Sequence, residues 1–88
     1  MDVKLLERQL KACASERRLL ILKELRKGRS LSVGTLAKAI HLSLKSTSKH
    51  LRQLSALSIV ESRRRGLTVF YRLSLDQRPP VNQILQLL

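Results

Sequence analysis

The apolar residues of this chain change period near residue 58, and that change limits the folds open to it. Up to Leu57 they recur at three- and four-residue spacing, as on helices with one buried face. Val3, Leu6 and Leu10 mark a first helix over roughly 2–12. Ser15, followed by Glu16, reads as the N-cap of a second helix with the stripe Leu19, Leu22 and Leu25, widened by Leu20 and Ile21. Arg26, Lys27 and Gly28 close it. Ser30-Leu31-Ser32 is a short extended link, after which Ser32 caps a third helix that turns Leu36, Ala37 and Ile40 inward. His41-Leu42 makes a brief turn, and Ser43 caps a fourth helix running to about Leu57. Beyond that point the pattern alternates. In "IVESRRRGLTVFYRLSL", Val69, Tyr71 and Leu73 point one way and Thr68, Phe70 and Arg72 the other, with Arg65-Gly66 as the turn. That is a β-hairpin. Pro79-Pro80 interrupts the chain, and "VNQILQLL" follows as a last short helix.

Two short helices around a tight turn, followed by a hairpin, give a mainly α fold with a small β-hairpin: a winged helix-turn-helix. Its helix-turn-helix covers about 32–57 and its wing about 59–73, within a single domain over 1–88. With 43% apolar residues but one Phe, one Tyr and no Trp, the core must be built from Leu, Ile and Val. Cys13 is the only cysteine, so no disulfide can form within the chain, which fits a reducing cytoplasm. No run of roughly 18 apolar residues is available to cross a membrane. The charged start lacks the apolar stretch of a secretory signal, so no membrane partner is expected.

A formal net charge of +12 implies a polyanionic partner, nucleic acid before an anionic membrane surface. The charge is unevenly placed: between Glu24 and Glu61 there is no acidic residue. The fourth helix, "SLKSTSKHLRQL", lies inside that window. Turned at about 100° per residue, it gathers Leu44, Thr47, Leu51, Leu54 and Leu57 on one side, with Ser48 and Ser55 at the margin. Lys45, Ser46, Lys49, Arg52 and Gln53 gather opposite, with His50 at the flank. Lysine can donate to guanine O6 and N7, and serine and glutamine can read base edges, so this face suits the DNA major groove. Residues near the N-terminus of such a helix reach deepest. Lys45, Ser46 and Lys49 are therefore the base-contact candidates, with Ser43 and Ser48 beside them and Arg52 and Gln53 on the backbone. Three consecutive arginines at the hairpin tip, Arg63, Arg64 and Arg65, repel one another unless an anion sits among them, and fit the phosphate backbone or minor groove. Arg72, on the outward edge of the returning strand, is a further phosphate candidate.

At these residues the chain resembles the ArsR/SmtB family of prokaryotic repressors. The resemblance runs over roughly 10–75, through "ERRLLILKELRKG", "STSKHLRQL" and "SRRRGLTVFYRL". It implies a homodimeric, sequence-selective DNA-binding regulator, a repressor, acting in the cytoplasm on an inverted-repeat operator. His50 matches a histidine that the family keeps beside the DNA backbone; a phosphate contact and a local hydrogen bond are both open to it. The resemblance also implies a two-fold interface built from the first and last helices. There, Val3, Leu6 and Leu10 would meet Val81, Ile84, Leu85 and Leu88. The alternative is that the short tail folds back onto its own domain.

Departures from the family pattern are as informative. Metal-sensing members carry paired cysteines at the start of the third helix, where this chain has "SLSVGTL", or acidic and histidine ligands on a last helix, where it has "VNQILQLL". His41, His50 and a distant Cys13 do not make a metal site, so no metal and no cofactor are expected. Leu44 stands where a polar base-reader such as Gln is common. His41 and Ser58 stand where turn glycines are usual, which requires a left-handed backbone at both. Catalysis is not expected: Ser46, Ser48 and His50 have no carboxylate near them to orient the histidine, and there is no glycine-rich phosphate loop. Two rival readings remain, a non-sequence-specific DNA or RNA binder and a protein-interaction module. The first would favour exposed aromatics for base stacking, and the second an apolar patch on the fourth helix.

Overall fold

The computed structural model describes residues 2–88. Its elements are α1 (Val3–Cys13), α2 (Glu16–Leu25), β1 (Leu31–Ser32), α3 (Val33–Ala39), α4 (Leu44–Ala56), β2 (Val60–Arg65), β3 (Thr68–Leu73) and α5 (Val81–Gln86). Four of the five helices begin on a side chain that accepts an otherwise orphaned backbone N–H. Lys4 N–H donates to Asp2, Arg18 N–H to Ser15, Thr35 N–H to Ser32 at 3.1 Å and Ser46 N–H to Ser43 at 3.1 Å. The last two caps fix where α3 and α4 start, and hence the angle of the turn between them.

That turn needs a left-handed residue, and His41 supplies it at φ 54°. Ser58, at φ 58°, does the same where the chain leaves α4 for β2. Both positions match the backbone expected where turn glycines are usual. Each costs about 1–2 kcal/mol over glycine, and both persist because α3, α4 and β2 are locked in the core on either side. Leu36 of α3 and Ile40 just after it, Leu51 and Leu54 of α4, and Ile59 and Val60 are buried together with Ile21, Leu22 and Leu25 of α2. Tyr71 closes the core from β3.

The strands form one antiparallel sheet in the order β1-β3-β2, with Leu31 opposite Tyr71 and Val60 opposite Leu73. Alternation along β3 is as expected, with Tyr71 buried and Val69 and Leu73 packed on the core. The turn lies one residue later than the sequence suggested. Arg65 is still a strand residue, opposite Thr68, and the two-residue loop is Gly66-Leu67. Gly66, at φ 62°, takes the first loop position, where a hairpin of this length favours glycine.

Three further assignments are corrected by the packing. Leu44 does not join the apolar side of α4: the first residue of the helix overhangs the core, leaving Leu44 60% exposed. In α2, Ile21 is fully buried, whereas Leu19 is half-buried and Leu20 lies at the surface. In α5, Val81 and Leu85 are buried against the chain's own core rather than presented outward. The tail therefore does fold back, and of its apolar residues Ile84, Leu87 and Leu88 retain exposed surface. No helix among the described residues is long and apolar enough to cross a membrane.

Candidate nucleic-acid interface

Basic side chains repel one another unless carboxylates are interleaved, and much of this chain's charge is uncompensated: Lys4, Arg8, Arg17, Lys23, Arg26, Arg29 and Lys38 are exposed without an ion pair among the described residues. Four pairs occur among the described residues: Lys11–Glu7, Lys27–Glu24, Arg72–Glu61 and Arg78–Asp76. None involves α4 or the hairpin tip. Lys45, Lys49, Arg52, Arg63, Arg64 and Arg65 are all exposed and have no acidic partner within 4.0 Å among the described residues. These are the cations that the sequence pattern singled out.

The start of α4 and the wing face each other across one groove, while Arg63 and Arg65 line a separate hollow with Glu61, Phe70 and Arg72. Lys45 and Ser48 of α4 line the groove with Leu67, Thr68 and Val69 of the wing, and Ser32, Val33 and Gly34 form its third wall. Ser43 caps α4 and is exposed, while Ser46 and Ser48 are half-buried on the same turn. Thr47 is fully buried, its hydroxyl donating to Ser43 O at 2.8 Å. That bond satisfies the one polar side chain on the helix's inner face.

Cross-strand register divides the wing arginines between two faces. Arg63 and Arg65 lie opposite Phe70 and Thr68, on the face carrying Glu61 and Arg72. Arg64 lies opposite Val69, on the face continuous with the core. Arg65 is stacked over the Phe70 ring, 5.9 Å from its centroid, which limits its rotamers without neutralising it. Arg72 differs from the other three, because its Nε donates to Glu61 Oε1 at 2.8 Å. Its guanidinium is already engaged along one edge.

Two of the α4 candidates are also held from behind, by a residue that the sequence reading missed. Arg18 of α2 donates through Nε to His50 Nδ1 at 3.1 Å, through one terminal nitrogen to Gln53 Oε1, and through the other to Ala12 O at 3.2 Å. With Nδ1 accepting, neutral His50 carries its proton on Nε2, so its outward nitrogen is a donor. Burial and then the charges of Arg18, Lys49 and Arg17 hold the His50 pKa below its ordinary value. Gln53 has its carbonyl taken and keeps its amide group as donor. Both polarities suit phosphate oxygens. No sequence pattern marked Arg18, whose partners lie 32 and 35 residues away.

Elsewhere, Cys13 is buried and its thiol pKa is raised by desolvation, so it is not poised as a nucleophile. No three His, Cys, Asp or Glu side chains come together as metal ligands would among the described residues.

A capped helix-turn-helix followed by an arginine-tipped hairpin defines a winged helix-turn-helix protein. More narrowly, the chain belongs to the arsR family of bacterial regulatory proteins, whose model matches residues 15–62. It is 42% identical over 67 residues to the nodulation protein NolR of Rhizobium meliloti and 46% identical over 65 residues to the transcriptional activator HlyU of Vibrio cholerae. Those alignments take in 76% and 74% of this chain but 54% and 59% of the relatives, so the chain spans little more than half their length. Among solved structures, reduced HlyU from Vibrio cholerae superposes with a TM-score of 0.80 at 38% identity, covering 96% of this chain and 84% of that one. NolR from Sinorhizobium fredii gives 0.82 at 36% identity, covering 96% and 80%. Mb0332 from Mycobacterium bovis, described as a homodimeric winged helix-turn-helix DNA-binding domain, gives 0.81 at 32% identity, covering 97% and 75%.

Proposed function

We propose that the chain is a single DNA-binding domain acting as a homodimeric, sequence-selective transcriptional regulator in the bacterial cytoplasm. In this reading α4 enters the major groove and the wing follows the backbone or minor groove. The observation that carries it is the surface of α4 and the hairpin tip, where the six exposed cations Lys45, Lys49, Arg52, Arg63, Arg64 and Arg65 form no ion pair among the described residues. Polyanionic DNA supplies the missing charge, and releasing its counterions drives binding. Lys45, Ser46 and Lys49 read bases; Ser43, Ser48, His50, Arg52 and Gln53 contact the backbone; Arg63, Arg64 and Arg65 clamp the wing. Arg72, committed to Glu61, adds less.

Homodimerisation is supported by the apolar surface that α1 and the tail leave uncovered, and by the homodimeric description of Mb0332. A two-fold would set two α4 helices into successive major grooves and select an inverted repeat. Repression is the mode we infer, because occupancy of an operator is sufficient for it and needs no further surface. The relatives' names include both senses, HlyU an activator and BigR of Xylella fastidiosa a repressor. The position of the operator relative to a promoter decides between them. We read the chain as a binding protein, not an enzyme, working without a metal or other cofactor.

Selection of bound fragments from a random duplex library at two salt concentrations tests the reading. An enriched inverted repeat is expected at both. Binding with no enriched sequence would replace it with the non-specific nucleic-acid binder.

A further inference from the structure

An apolar side chain on the leading turn of a basic helix has no reason to be there for the polyanion's sake. Leu44 is such a residue. It is the first residue of α4, 60% exposed, next to exposed Lys45. The core does not take it, since Leu51 and Leu54 are fully buried further along while Leu44 overhangs. The apolar surface of α1 and the tail does not take it either. The hollows on its two sides are lined by α3 and the following turn (Gly34, Ala37, His41) and by the wing (Leu67, Thr68, Val69). No residue of α1 or α5 lines either hollow. Leu44 thus stands on the surface that α4 and the wing present together, beside the lysine best placed to reach bases.

The apolar feature that B-DNA offers to a side chain in the major groove is the thymine C5-methyl group; the other base edges there present donors and acceptors. We propose that Leu44 is a specificity-determining residue that packs on the C5-methyl of one thymine in each half-site. This rests on the major-groove placement of α4 proposed above. The contact distinguishes T from C by shape while Lys45 reads a neighbouring acceptor, so the pair specifies more than either side chain alone.

Deoxyuridine gives a direct test, because it keeps thymine's O4 acceptor and its pairing and lacks only the methyl. Each thymine of the selected operator is replaced singly, and the affinity of the full chain is measured by fluorescence anisotropy. Wild type is expected to weaken about fourfold at one thymine per half-site, which corresponds to the ~0.8 kcal/mol of one buried carbon group. Leu44→Ala, at an exposed position, should keep the wild-type unfolding temperature and bind the thymine and deoxyuridine duplexes equally. Wild-type indifference to every methyl, or an unchanged methyl preference in Leu44→Ala, would overturn the assignment while leaving specific DNA binding intact. Failure of the library to yield any enriched sequence would overturn both.

Discussion

A guanidinium can serve several acceptors in one plane, and Arg18 uses that capacity to tie α2 to the outer flank of α4. Lysine keeps the charge but has no planar fork. Arg18→Lys is therefore expected to lose about 1–3 kcal/mol in denaturant unfolding, close to the loss in Arg18→Ala. A lysine variant as stable as wild type would mean that charge alone matters at this position. His50 gives a second prediction, whose sign follows from its surroundings. Burial, Arg18, Lys49 and Arg17 all disfavour the imidazolium in the folded protein. The unfolded chain takes up that proton near the ordinary value of about 6.5 and the folded chain resists until lower pH. Stability from this group is then complete above about pH 6.5 and falls as pH drops below it, because the unfolded state binds more protons there. Unfolding temperatures measured downward from neutral pH should decline, and His50→Gln should decline less. An identical decline would exclude His50 as the source. His50 was visible in the sequence as a histidine at the helix flank, with phosphate and local bonding both open. The bond that selects its tautomer was not, since it joins residues that only the packing of α2 on α4 brings together.

At the scale of elements, the wing makes the sharper prediction because register assigns its arginines different neighbours. Arg63→Ala, Arg64→Ala and Arg65→Ala should each lower the log–log salt slope by about 0.9 if each neutralises one phosphate. Arg72→Ala should change the slope less, since Glu61 already engages that side chain. A slope unmoved by all four substitutions would take the wing off the DNA backbone. The period of two that announced this hairpin was legible from Thr68 to Leu73, where Val69, Tyr71 and Leu73 alternate with Thr68, Phe70 and Arg72. Its loop was not placed correctly. Arg65 and Leu67 flank Gly66 equally, and nothing local says on which side of the glycine the last cross-strand pair forms. The recognition helix shows the same division. Leu51 and Leu54 follow from periodicity, but periodicity assumes that the core extends along the whole helix. At Leu44 it has already ended, so an apolar residue in register with the core faces outward.

Over the whole molecule, uncovered apolar surface recurs at the two ends of the chain, apart from Leu44 on α4, Leu67 in the hairpin loop and Leu75 beyond β3. Val3 is 76% exposed, Leu10 46% and Leu87 85%, and Leu88 lines a shallow hollow with Leu19 and Leu20. Surface of this kind is what a two-fold interface would cover. The pattern of both segments was legible, but which side of α5 faces its own domain was not. Val81, Ile84, Leu85, Leu87 and Leu88 spread over nearly half the circumference of a six-residue helix and its end, and periodicity does not say which part of that arc meets the core. Because Val81 and Leu85 belong to the core, deleting the tail would remove core packing and interface together. Charge placed at the exposed residues separates them. Val3→Glu combined with Leu87→Glu should leave the unfolding of the protomer near wild type, whereas Leu85→Glu should unfold it by burying an unpaired carboxylate. In sedimentation equilibrium the double variant should move from dimer toward monomer. Two joined recognition helices gain affinity that neither has alone, commonly by about 10²–10⁴, so a full inverted repeat should lose most of that factor in the double variant. A half-site duplex, which engages one α4, should bind wild type and variant alike. A double variant that stays dimeric, or that loses half-site and full-site affinity equally, would place the two-fold elsewhere than on α1 and the tail.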